Sequence, residues 1–141
     1  MTNEREREAF LRDFENLGLD ALKDADDSLK ADLQVVFPAV KENGMALQYV
    51  DVSLRGNREL VLAAVKQWGS ALKFADDSLK ADPEVVLEAV KQNGNSLRFA
   101  EDSLKADREF VLAAIQLDGF ALQCASEELQ NDQELQDIAG Q

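Results

Sequence analysis

Apolar residues in this chain follow a helical rhythm, and the rhythm itself repeats in blocks. Within Asp82–Ala106, Val85, Val86, Ala89 and Val90 fall on one helix face, while Glu84, Glu88, Lys91 and Gln92 fall on the other. The same stripe recurs 25 residues away in both directions, as Leu60, Val61, Ala64 and Val65 and as Phe110, Val111, Ala114 and Ile115. Each stripe closes on a glycine: Gly44, Gly69, Gly94 and Gly119 are spaced by 25 residues, and Gly18 lies 26 before the first. A shorter apolar set follows each glycine, as in Leu97, Phe99, Ala100 and Leu104. Asp or Asn opens each block (Asp32, Asn57, Asp82, Asp107) at a helix N-cap position, and Pro83 suits the first helical turn.

These signals predict long helices near 33–43, 58–68, 83–93 and 108–118, each ending at a glycine in the left-handed C′ conformation. A short α or 3₁₀ segment follows each one, and no strand is expected. Neither segment can cover its own apolar face, so the units must stack. The predicted fold class is all-α: a single α-solenoid over 1–141 of about five 25-residue repeats. Residues 1–31 form an N-terminal cap and partial repeat, 32–56, 57–81, 82–106 and 107–131 are full repeats, and 132–141 are a C-terminal tail. An amphipathic helix within Met1–Leu17 is expected to cover one end with Phe10, Leu11, Phe14 and Leu17. Tyr49, Phe74 and Phe99 form an aromatic column whose first rung is Asp24 and whose last is Cys124. Pro38 falls inside the second unit's helix and predicts a kink or a late start there.

The repeated pattern Asp-x-Glu-x-Val-Leu-x-Ala-Val-Lys-x-Asn-Gly, with Ala-Leu-x-Phe-Ala and Leu-Lys-x-Asp after it, resembles a bacterial tandem repeat family catalogued as domain of unknown function 4116. The resemblance runs from Ala21 to Asp132. It implies an interaction module, found in some proteins delivered into host cells by intracellular bacteria, with no catalytic or cofactor residues to carry over. The alternation of long and short helices is also similar to leucine-rich variant repeats, which implies a right-handed superhelix.

Composition narrows the chemistry. The chain carries 28 acidic and 15 basic residues, a net charge of −13, and no histidine. Absence of histidine removes the commonest general base and metal ligand. The negative charge disfavours nucleic acid and anionic membranes and points to a protein partner with a basic surface. No enzyme, cofactor or metal site is expected. No apolar run reaches the roughly 20 residues of a bilayer span, and the charged N-terminus lacks a signal peptide's apolar stretch. A cytoplasmic protein, monomeric or weakly self-associating, is the expectation.

Two candidate binding features stand out. The paired acids Asp26–Asp27, Asp76–Asp77, Glu101–Asp102 and Glu127–Glu128, with Asp51 between, would stack into an acidic ridge, of which Asp76, Asp77, Glu101 and Asp102 are the rungs to test. Alternatively these acids simply cap and solvate the turns. Trp68 precedes its glycine where other units carry Asn or Asp, as a large apolar residue at a variable position does on a binding surface. Met45 and Phe120, each just after a glycine, are expected to pack back on Val40 and Ile115. Cys124 is expected to be a small buried apolar group. The alternative to a binding module is a spacer or self-associating array.

Overall fold

The computed structural model describes residues 2–140. Among them the chain is helical throughout and has no strand. Helix α1 (Glu4–Leu17) is followed by α2 (Leu19–Lys23), α3 (Asp27–Lys30) and α4 (Leu33–Glu42). After these come α5 (Arg58–Gln67), α6 (Asp77–Lys80), α7 (Pro83–Gln92) and α8 (Asp102–Lys105), then α9 (Arg108–Leu117), α10 (Glu127–Gln130) and α11 (Gln133–Ala139). Each long helix is followed by a 3₁₀ hexapeptide: Gly44–Tyr49, Gly69–Phe74, Gly94–Phe99 and Gly119–Cys124. A second 3₁₀ turn, Val52–Leu54, stands where the other units place a short α-helix. Successive long helices pack side by side from α4 through α5, α7 and α9 to α11, and the 3₁₀ segments form a second layer against them. This is the expected solenoid.

The core lies between the layers. Val35, Val36, Ala39 and Val40 and their counterparts in α5 and α7 are fully buried, as are Leu47, Leu72 and Leu97 from the 3₁₀ layer. Phe10 and Phe14 of α1 bury against the first unit's end, but Leu17 is exposed. The chain turns away at Gly18 (φ 61), the single positive-φ residue among those described, and Leu17, the last residue of α1, is left uncovered there. Met1 lies outside the described residues.

A late start at Pro38 and left-handed repeat glycines are not what the structure shows. Pro38 neither delays nor shortens its helix: α4 starts at the same place as its counterparts and runs the same ten residues. Its ring faces solvent, and the missing N–H falls on the exposed side, so one helix hydrogen bond is lost without a clash in the core. The repeat glycines, in turn, are not left-handed. The residue before each (Asn43, Trp68, Asn93, Asp118) adopts an extended conformation and redirects the chain. Glycine is required for a different reason, close approach to the next unit. A Cβ on Gly44, Gly69 or Gly119 would lie 2.5, 2.4 or 2.3 Å from the carbonyl oxygen of Ala64, Ala89 or Ala139. On Gly94 it would meet the Asp118 carboxylate at 2.6 Å.

Units are tied by backbone and side chains. Asp51, Asp76, Glu101 and Ser126 donate their N–H groups to the carbonyls of Lys30, Arg55, Lys80 and Lys105, at 3.0, 3.0, 3.0 and 2.9 Å. The N-cap aspartates do double duty at alternate interfaces. Asp82 accepts from the Glu84 amide at 3.0 Å and also holds Arg58 of the preceding unit at 3.0 Å. Asp132 likewise accepts from Leu135 and holds Arg108 at 3.1 Å. Arg7 reaches Asp32 at 2.7 Å. Leu33 and Pro83 stand where the intervening units lack an arginine, so this clamp has a period of two repeats.

Candidate interaction surface

The exposed side of the 3₁₀ layer differs in charge from the rest of the molecule. The four hexapeptides read Gly-Met-Ala-Leu-Gln-Tyr, Gly-Ser-Ala-Leu-Lys-Phe, Gly-Asn-Ser-Leu-Arg-Phe and Gly-Phe-Ala-Leu-Gln-Cys, and none contains an acid. Their buried alanines, serine and leucines point into the core. Outward they present Met45, Gln48, Lys73, Asn95, Arg98, Phe120 and Gln123, with Tyr49, Phe74, Phe99 and Cys124 half-buried along one line. The expectation that Met45 and Phe120 pack back on the preceding helix fails: they are 38% and 64% exposed. Without a left-handed return at the glycine, the residue after it is not folded back on the last turn.

Trp68 anchors this strip. Asn43, Asn93 and Asp118, its equivalents, each accept a hydrogen bond from the amide two residues on, at 3.0 Å in all three cases. Trp68 occupies the same cap position and makes no such bond. Its half-buried indole instead packs on Phe74, ring centroids 6.2 Å apart and tilted by 41°. Lys73 lays its ammonium 5.7 Å from the Trp68 ring and 5.0 Å from the Phe74 ring, and the Arg98 guanidinium lies 5.6 Å from Phe99. These cations are positioned by aromatic faces. Cys124 ends the line with its thiol 3.6 Å from the Asn95 carbonyl. Burial pushes that thiol above its ordinary pKa, which suits packing rather than reactivity.

The acidic ridge runs along a different layer, stacked in register by the backbone ladder through Asp51, Asp76, Glu101 and Ser126. Asp76 accepts from the Ser78 amide at 3.0 Å and hydroxyl at 2.6 Å, and this hydrogen bonding holds its carboxyl below the usual range. Asp51 is held low in the same way by Ser53. Glu101 makes no side-chain cap. Lys80 approaches Asp77 at 3.8 Å and Lys105 approaches Asp102 at 3.9 Å. At α6 and α8 the ridge therefore sets acids beside cations of the same short helices, and Trp68 lies apart from it. No motif marks Lys73 and Arg98 in the sequence; the signal for them is the absence of any acid from four hexapeptides in a chain with 28.

Among the described residues no cluster of potential metal ligands occurs, and no helix is long and apolar enough to cross a membrane. A family model described as "Domain of unknown function (DUF4116)" matches residues 8–55, 57–105 and 107–139. Each of the first two segments spans two 25-residue units, the same period as the arginine clamps, and Arg7, Arg58 and Arg108 stand at or beside the segment starts. No curated protein and no solved structure matches the chain.

Proposed function

We propose that this chain, which belongs to the family described as Domain of unknown function (DUF4116), is a non-enzymatic protein-interaction module that binds through its acid-free 3₁₀ strip. The observation that carries this reading is Trp68. It takes a capping position at which three equivalent residues make a hydrogen bond, forgoing a contact worth about 1 kcal/mol. A capping hydrogen bond given up for a half-exposed cluster of indole, Phe74 ring and Lys73 ammonium suits a binding residue. Trp, Phe and Tyr rings supply large contact area with few rotatable bonds, and Lys73 and Arg98 supply charge already fixed over those rings. The partner is an apolar protein segment, neutral or acidic where it meets Lys73 and Arg98. A partner with a basic surface would meet carboxylates elsewhere on the molecule. In keeping with the resemblance of its repeats, this binding takes place in the cytoplasm of a bacterium or of a host cell.

Capture from such a lysate on the immobilised chain tests the reading. A specifically retained protein should be lost from Trp68→Asn and from Lys73→Glu/Arg98→Glu, each weakening Kd by about 10-fold or more as central interface residues do. It should persist on Asp76→Asn/Asp77→Asn/Glu101→Gln/Asp102→Asn. Loss on the ridge variant alone moves the interface to the acids. Indifference to all three favours a spacer, a reading supported by the backbone ladder that ties every unit.

A further inference from the structure

At the N-terminal end the repeat departs from its own pattern and leaves a groove. Gly18 turns the chain so that α1 and the α2–α3 pair diverge, and between them lies a cleft of about 480 Å³. Its apolar wall is Phe10, Leu17, Ala21, Ala25 and Leu29. Leu17 is 63% exposed, an apolar side chain with nothing over it. Glu6, Asp13, Asp20, Asp24 and Asp26 rim the cleft, and no lysine or arginine lines it. None of these five carboxylates makes an ion pair among the described residues, unlike the ridge acids Asp77 and Asp102. The acids are spread along the cleft and do not converge as a metal site would. Asp24 stands where the next three units carry Tyr49, Phe74 and Phe99, so the aromatic that would fill this rung is replaced by a charge.

We propose that this groove docks a basic amphipathic segment of a partner protein, one apolar side chain seated against Leu17 and flanking lysines or arginines meeting the rim. Charge complementarity selects the occupant: an apolar slot surrounded by five unpaired carboxylates repels an acidic or neutral segment's acids and rewards cations. A second copy of the chain, at net charge −13, fits poorly. This site is separate from the 3₁₀ strip and stands or falls on its own.

The test uses the full chain and a fluorescein-labelled 14-residue peptide of alternating leucine and lysine blocks patterned as an amphipathic helix, with a glutamate-for-lysine peptide as control. Anisotropy should show binding of the lysine peptide only. Asp13→Asn/Asp20→Asn/Asp24→Asn/Asp26→Asn should weaken Kd at least 10-fold, and Leu17→Ala, which touches an exposed residue, at least 3-fold. The charge-matched ridge variant Asp76→Asn/Asp77→Asn/Glu101→Gln/Asp102→Asn should change Kd less than 2-fold. Circular dichroism confirms that all three remain helical. Equal weakening by the two quadruple variants would show attraction to net charge alone and overturn the groove, as would an unchanged Kd for Leu17→Ala. A dimer by sedimentation that Leu17→Ala dissociates would assign the groove to a second copy and equally overturn the proposal. A null result with strip variants leaves these outcomes untouched.

Discussion

Single atoms decide much of this fold. At Gly69 the nearest obstacle to a side chain is a backbone carbonyl, 2.4 Å from the Cβ position, which cannot swing aside. Gly69→Ala is therefore expected to lower stability by about 2 kcal/mol or more in urea denaturation, as overpacking against a fixed neighbour does. Gly56, whose added Cβ would sit 3.6 Å from Asp76, provides the contrast. Gly56→Ala should be neutral or stabilise by up to about 1 kcal/mol, since alanine loses less chain entropy on folding. Ser96 offers the opposite case to Gly69. It is fully buried, its hydroxyl has no hydrogen-bond partner among the described residues, and the equivalent residues are Ala46, Ala71 and Ala121. Ser96→Ala should raise stability by about 1–2 kcal/mol, the cost of an unsatisfied buried hydroxyl. A fall in the urea midpoint would mean that the hydroxyl is satisfied in solution.

Elements carry the repeat, and here sequence and structure agree most closely. The N-caps and apolar stripes placed α4, α5, α7 and α9 to within a residue or two, because both are local signals. Pro38 shows where a local rule is overruled. With its ring outside and both neighbours α1 and α5 packed on the buried face, α4 keeps its start despite the lost bond. Pro38→Ala restores the N–H and should stabilise by about 1–2 kcal/mol, read as a higher midpoint with unchanged slope. The role of the glycines is not legible in sequence for a related reason. A recurring glycine is visible in sequence, but what it approaches belongs to the next unit, 20 residues on. The arginine clamps were hidden likewise, since Arg7, Arg58 and Arg108 recur at twice the conspicuous period. Of the candidate site, Trp68 was legible as an odd residue in a regular column. Its missing cap was not, because the cap lies one residue before the position at which the helix was expected to end.

For the whole molecule, charge sets the response to solvent. With 28 acids against 15 bases, mutual repulsion outweighs a few exposed ion pairs, each worth about 0–1 kcal/mol. Raising salt from about 0.01 to 0.15 M shortens the screening length from about 30 to 8 Å and should raise Tm. Acid acts in two stages. Protonating ordinary carboxyls first relieves repulsion, so the stability maximum should lie below neutrality. Asp51, Asp76 and Asp132 are held low by their serine or arginine hydrogen bonds, and Asp82 is also held low because Arg58 and two amides outweigh its partial burial. A carboxyl depressed in the folded chain adds stability above its unfolded value near 3.8 and loses it as pH falls through the folded value. Helicity should therefore hold to about pH 4 and fall beneath it, and a Tm that drops steadily from pH 7 would contradict this balance. The inter-unit contacts have a further, mechanical meaning. Along one edge, bare glycines let peptide planes abut; along another, amides of the ridge bond to carbonyls of the unit before. Pitch and bend are thus gauged by main chain on main chain, like courses of brick laid against two rails. Outward side chains can be exchanged without altering the gauge, so a lineage is free to rewrite what the surface says while the shape that presents it stays put.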